Sequence, residues 1–391
     1  MITPDDALAR LLALARPVAV ETLPLYYAAG RWAAAAVAAL RTHPPADLSA
    51  MDGYALRYAD MPGPWCIVGT SAAGAPLDRP IGAGQAARIY TGAALPPGAD
   101  TIVVQEDVDR SGDTVTLTAR GPDHAGAHVR RAGTDFGKGQ VLIATGERFT
   151  PARIGLAAMG GHGTVATRRR IKVGLVSTGD ELTAVGDGCG IAGIPASNAV
   201  MIGALLADLP VDLTDVGIVR DDHAAIAACF ARATEFDVMV STGGASVGDH
   251  DLVQSALTDA GATIDFWRIA MRPGKPMMAG TLGTAVVVGL PGNPVSAFVT
   301  ATLFLKPLVR HLSGARDCAA PTLTARVACP MPIVGERTDY VRAHWIDGAV
   351  TPIDGDSGML TPLAAASALI IRPAKAPAIA AGHSVQIIPL A

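Results

Sequence analysis

Three apolar runs between residues 171 and 290 each end in a glycine-rich turn, and this repetition restricts the chain more than any other feature. I-K-V-G-L-V-S (171–177) leads into S-T-G-D-E-L (177–182), D-V-M-V-S (237–241) into S-T-G-G-A-S-V-G-D-H-D (241–251), and A-V-V-V-G-L (285–290) into L-P-G-N-P (290–294). Continuous β-branched runs of this length read as strands covered on both faces. Helical segments are expected between them at 197–208, 223–233 and 250–260, and after them at 295–312, with further strands at 211–219 and 264–269. A β-α alternation of this kind predicts an open parallel α/β sheet. Such sheets bind ligands outside the carboxyl ends of their strands, where all three turns fall.

Glycine in these turns lets backbone N–H groups approach an anion closely, and a following helix N-terminus adds favourable partial charge. The same glycines also serve plain tight turns, so the site reading rests on three turns in register: Gly179, then Gly243, Gly244 and Ser246, then Pro291, Gly292 and Pro294. Carboxylates follow the strands in pairs, Asp180 with Glu181, Asp221 with Asp222, and Asp249 with Asp251. Acids beside an anion site suit a Mg²⁺ bridge to phosphate, while helix capping is the alternative use of Asp. Arg268, Arg272 and Lys275, in R-I-A-M-R-P-G-K-P (268–276), put three cations on a stiff segment suited to an oxyanion.

The rest of the chain has a different texture. Thr3, Pro4, Asp5 and Asp6 form the start of a helix that Pro17 ends, and a second helix is expected over 25–39. Short apolar runs between turn signals at 42–145 predict β-rich modules, 150–163 a short helix, and the segment after 313 a small β-barrel or sandwich. S-A-M-D-G-Y-A (49–55) places Asp52 in a D-G turn, with Y-T-G-A (90–93), P-P-G-A-D (96–100) and R-R-A-G-T-D (130–135) as companion motifs; no acid–base rule alone turns these into a site. The 43 glycines and 28 prolines fit a turn-rich chain.

Composition removes several function classes. With 31 Lys+Arg against 35 Asp+Glu, the net charge of −4 argues against a basic nucleic-acid surface. Aromatics at 4% leave no base-stacking platform. Half the residues are hydrophobic, yet the longest apolar stretch, 282–305, is broken by P-G-N-P, which argues against a membrane span. The acidic start M-I-T-P-D-D does not read as a secretory leader. Five scattered cysteines without a C-x-x-C pair suggest reduced thiols, a cytoplasmic location and no zinc site. H-E-x-x-H, G-x-S-x-G and the phosphate-loop lysine motif are absent.

The motifs S-A-M-D-G-Y-A, P-P-G-A-D, G-D-E-L, G-I-V-R-D-D (217–222), S-T-G-G-A-S-V-G, R-P-G-K-P and L-P-G-N-P occur in the order found in molybdopterin molybdenumtransferases, a family that includes the C-terminal domain of gephyrin, and the chain resembles them over nearly its whole length. The resemblance implies insertion of molybdate into adenylylated molybdopterin with release of AMP, aided by Mg²⁺. It implies a multidomain fold of four regions: 1–41 with 146–165, a β-rich 42–145, an α/β region 166–312 like molybdopterin adenylyltransferase, and a β-barrel-like 313–391. It also implies a homodimer whose cleft is shared between the α/β region of one chain and the second region of the other. Transient partners would be molybdopterin adenylyltransferase and apo-molybdoenzymes or their chaperones. By motif, the resemblance assigns catalytic positions to Asp52, Thr91, Asp135, Glu181, Asp221 and Asp251, with Glu181, Asp221 and Asp251 as metal ligands. Pro291 and Pro294 shape a loop, and Arg342 and Ser357 match C-terminal positions. Arg268 and Arg272 stand where some relatives carry lysine, which keeps the charge and changes its geometry. Two rival functions are a peptide-binding scaffold and an adenylyltransferase; the S-A-M-D-G-Y-A turn and the additional regions favour the insertase.

Overall fold

The computed structural model describes residues 1–243 and 252–390. The first helix, Pro4–Ala13, begins as its sequence dictates, with the Thr3 hydroxyl accepting from the Asp6 N–H at 3.1 Å. Its Ala7 and Leu11 are fully buried in the largest core of the molecule, alongside Leu308, Val309 and Leu312.

The expected helix over 25–39 does not form. One 3-10 turn, Leu25–Tyr27, is followed by Gly30 at φ +77° and then by extended chain. The alanine-rich stretch is captured by neighbouring backbone: Ala33 N–H donates to Glu147 C=O, Ala34 to Ala166 and Ala39 to Gln140, at 2.8–2.9 Å. Val37–Ala38 pairs with Val141–Ile143, and Val20–Pro24 with Thr164–Arg168. Alanine's helix preference is a few tenths of a kcal/mol per residue, and tertiary pairing overrides it.

The 42–145 stretch is β-rich as expected. Its six-stranded sheet runs in the order Thr101–Val104, Gly53–Leu56, Gln85–Ile89, Trp65–Ser71, Thr114–Leu117, Val108–Ser111. Gly53 is required there, because a Cβ would lie 2.0 Å from the Val103 carbonyl oxygen of the adjacent strand.

The α/β sheet has the order Val211–Val219, Ile171–Thr178, Val238–Thr242, Ala285–Leu290, Pro276–Leu282, Thr263–Arg268. The first four strands are parallel. The fifth is antiparallel to both neighbours, so the sheet is parallel at its centre and carries a hairpin at one edge. The hairpin turn, with Gly283 at φ +60°, is two residues long, too short for the crossover that a parallel connection needs. Alternate side chains divide between the faces. Val173, Leu175, Val238 and Val240 pack toward Ser197–Leu206 and the helix after residue 294, whereas Val176 and Met239 pack toward His223–Phe230 and Leu252–Asp259.

Among the described residues, one helical stretch, Pro294–Leu312, is long and apolar enough to cross a membrane, and 72% of its most apolar window is buried inside the fold. It is a core helix. Its middle, Ala301–Leu305, widens to π-helix just before Pro307, which has no N–H to continue the α ladder.

The C-terminal segment is a closed barrel. Five strands, Thr338–Ile346, Ala349–Pro352, Leu323–Val327, Ser384–Pro389 and Ala368–Arg372, pair in sequence, and the last returns to the first. Closure leaves no open edge. Met271–Arg272 adds two residues parallel to Thr338 and Asp339, joining the barrel to the α/β region.

Candidate active site

The carboxyl ends of the central strands open into a cleft of about 1600 Å³ roofed by the barrel's 353–358 segment. It is lined by Gly179, Glu181, Asp221, Gly243, Arg272, Lys275, Pro291, Gly292, Pro294, Arg342 and Ser357, eleven residues singled out from sequence. Gly244, Ser246 and Asp251 lie outside the described residues.

The floor is backbone. Gly243 sits at φ +99°, and a Cβ on it would lie 2.5 Å from the Thr178 carbonyl oxygen. Gly292 stands over it, its Cβ position 3.8 Å from Gly243 Cα, so two of the glycine-rich turns meet face to face. Gly243→Ala is expected to cost roughly 1–3 kcal/mol through backbone strain, read as a lowered melting midpoint. Gly292→Ala should leave the midpoint nearly unchanged, since its added methyl meets only ordinary contact. Equal shifts would contradict this account.

The walls are tied together by side chains. Asn198, at the start of Ser197–Leu206, donates to Gly292 C=O at 2.7 Å. Asn293 donates to the Ser357 hydroxyl at 3.0 Å, and the Val295 N–H to Ser357 C=O at 3.1 Å. Arg342 is buried; its guanidinium donates to Met359 C=O at 3.2 Å and also to Gly355 C=O. Arg342 therefore holds the loop that carries Ser357. Asn198 was not legible as a site residue: an S-N pair opening a helix is also an ordinary helix start.

The acids separate by role. Asp222, not Asp221, caps His223–Phe230, accepting from Ala225 N–H at 2.8 Å. Asp221 is left facing the cleft, its backbone N–H donating to Asp180 Oδ1 at 3.2 Å. Desolvation in the cleft raises the Asp221 carboxyl above its usual value; a hydrogen bond with Asp180 backbone opposes this, and the charges of Asp180 and Glu181 add to it. Among the described residues no three His, Cys, Asp or Glu side chains form a metal-holding group. Glu181 and Asp221 both line the cleft and are oxygen donors of the kind a hard cation takes.

The cationic segment is not one patch. Arg272 and Lys275 line the cleft, while Arg268 is exposed at a strand end outside it. Ile269, the next residue, is buried, and its N–H donates to Lys275 C=O at 2.8 Å. Arg272 pairs with the barrel's Asp339, Nη2 to Oδ2 2.6 Å, and Asp339 is buried. Gly274, between the two cations, has φ +98°, and a Cβ would lie 2.6 Å from Thr300 Cγ2.

Asp52, Thr91 and Asp135 are not in this cleft. Asp52 and Thr91 form a second cluster built on Ser49. Leu48–Ser49 pairs with Val129–Arg130, and Ser49 also exchanges backbone bonds with Gly92 and Ala93 at 2.8 and 2.9 Å. This ladder gathers three motifs far apart in sequence. Asp52 Oδ1 accepts both the N–H and the hydroxyl of Thr91 at 2.7 Å. Those two bonds, Thr91 N–H first, pull the carboxyl below its ordinary value, and Arg88 acts in the same direction. Asp135 is exposed, its N–H bonded to His43 C=O at 3.2 Å. Outside both clusters, His223 Nε2 lies 3.4 Å from Ser255 Oγ and 3.1 Å from Asp259 Oδ2. Both contacts use one ring nitrogen, so no serine relay exists there.

Known proteins share this fold. Family models for the MoeA N-terminal region (domain I and II), a probable molybdopterin binding domain and the MoeA C-terminal region (domain IV) match residues 2–161, 174–311 and 324–390. Molybdopterin molybdenumtransferase of Haemophilus influenzae is 36% identical over 332 residues, covering 84% of this chain and 82% of that protein. The Nostoc sp. protein of that name is 33% identical over 389 residues, covering 95% and 88%. A solved molybdopterin biosynthesis moeA protein from Pyrococcus horikosii superposes with a TM-score of 0.83 at 28% identity, covering 100% of this chain and 99% of that one. With these likenesses spanning the whole architecture and both residue clusters, the chain belongs to the molybdopterin molybdenumtransferase family.

Proposed function

We propose that the protein inserts molybdate into adenylylated molybdopterin, releasing AMP and giving molybdenum cofactor. The observation that carries this reading is a single cleft with glycine backbone and carboxylates on its floor and Arg272, Lys275 and the Arg342-held loop on its wall. A pterin dinucleotide brings a pyrophosphate, which suits the donors of the glycine turns. Molybdate is a dianion and suits Arg272 and Lys275. Glu181 and Asp221, with Asp251, would hold Mg²⁺, which supplies charge neutralisation at the pyrophosphate when bound. The protein's work is then positioning and electrostatics, with no covalent nucleophile. The five free cysteines take no part, and they favour a reducing, cytoplasmic setting.

The second cluster supports a homodimer. Asp52, Thr91 and Asp135 stand outside their own chain's cleft, and a second copy would bring them to it. Mixing inactive Asp52→Ala and Glu181→Ala chains should restore turnover, because one of the two clefts in a mixed dimer is intact; failure to complement would confine the site to one chain.

The deciding experiment incubates the purified chain with adenylylated molybdopterin and molybdate and follows AMP. Molybdate-dependent AMP release is the expected result. Formation of the dinucleotide from ATP and molybdopterin, without release, would assign the adenylyltransferase reaction instead.

A further inference from the structure

We infer that Arg88 is a positioning residue that locks the Asp52 turn to the Thr91 turn, an inference that rests on the proposed role of Asp52. Arg88 lies in the Gln85–Ile89 strand directly opposite Tyr54. Its guanidinium sits 5.3 Å from the Tyr54 ring centre and 4.8 Å from that of Tyr90, within cation–π range of both. Nη1 donates to Gly53 C=O at 3.1 Å and Nη2 to Gln105 Oε1 at 2.6 Å. Gln105 in turn gives its backbone N–H to Asp52 C=O at 3.1 Å.

These contacts reach both halves of the cluster. Gly53 follows Asp52, and Gln105 holds the Asp52 backbone. Tyr90 precedes Thr91, whose N–H and hydroxyl are the two donors to the Asp52 carboxylate. One planar fork therefore fixes the carboxylate's backbone on one side and its donors on the other. Lysine would keep the charge but lose the fork and its flat stacking surface. Arg88 makes no hydrogen bond to the Asp52 carboxylate among the described residues, so apart from its charge, which lysine would keep, it acts on the carboxylate through the two turns.

The test is single-turnover AMP release by Arg88→Lys. The expected result is a rate about tenfold lower, with half-saturation constants for molybdate and dinucleotide little changed, as for loss of contacts that only place a reacting group. Gln105→Ala, at an exposed position, should lower the rate in the same sense by a smaller factor and covers the case in which Arg88→Lys folds poorly. In an Asp52→Ala background, Arg88→Lys should add no further loss. An unchanged rate in both single variants, or a loss multiplied in full onto that of Asp52→Ala, would overturn the inference and leave Asp52's role standing. Full turnover by Asp52→Ala alone would overturn the proposed role of Asp52, and the inference with it, while leaving the insertion reaction standing.

Discussion

Asp52→Ala is expected to fold with an unchanged melting midpoint and to lose roughly 10²–10³-fold of its molybdate-dependent AMP release, the scale for removing one preorganised polar group from a reaction centre. The carboxylate is held by two short bonds from Thr91 and takes no part in a core. Gly53 and the Ser49 ladder keep the turn's shape without it. A fall in the midpoint parallel to the loss of activity would mean that Asp52 holds the turn and does nothing to substrate. Thr91→Val, which removes the hydroxyl and keeps the N–H, should give a smaller loss in the same direction.

Arg272→Ala should raise the molybdate half-saturation constant by about 10- to 150-fold, the equivalent of one charge-assisted contact of roughly 1.5–3 kcal/mol. The structure adds a reason for the upper part of that range. Arg272 neutralises the buried Asp339, 2.6 Å away, and its removal exposes an anionic substrate to an unpaired carboxylate. Arg272→Ala combined with Asp339→Asn should therefore bind molybdate better than Arg272→Ala alone. Arg272→Lys should recover much of the affinity, because a tetrahedral dianion does not demand a planar fork. AMP release measured against molybdate at saturating dinucleotide checks all three. An unchanged constant in Arg272→Ala would move the oxyanion elsewhere in the cleft.

Much of the α/β region was legible because its signals are local and redundant. Strand Ile171–Thr178, the Thr3 cap and the glycine turns each follow from residues adjacent in sequence, and strand ends in a parallel sheet fix where a ligand goes. Gly243 illustrates the limit of that reading. The sequence marks it as a turn glycine, while the reason no side chain fits is the Thr178 carbonyl on the neighbouring strand. The hairpin Pro276–Leu282 with Ala285–Leu290 is not legible in sequence, since M-M-A-G (277–280) carries no period of its own.

The failures share one cause. The helix expected over 25–39 follows a correct local preference that loses to backbone partners more than 100 residues away, at 140, 147 and 166. Arg268 belongs to the same charge run as Arg272 and Lys275, yet it is exposed at a strand end and does not line the cleft. Asp339 shows nothing in sequence, because its significance is Arg272, which the pairing of Met271–Arg272 with Thr338 and Asp339 brings to it. The sequence by itself determined which chemistry is present: glycine backbone, hard carboxylates and a few cations, in an order that resembles one family. The tertiary structure alone decided which of these groups share a cleft, which are neutralised by partners and which stand apart, because charges and hydrogen bonds act over a few ångströms of space and not along the chain.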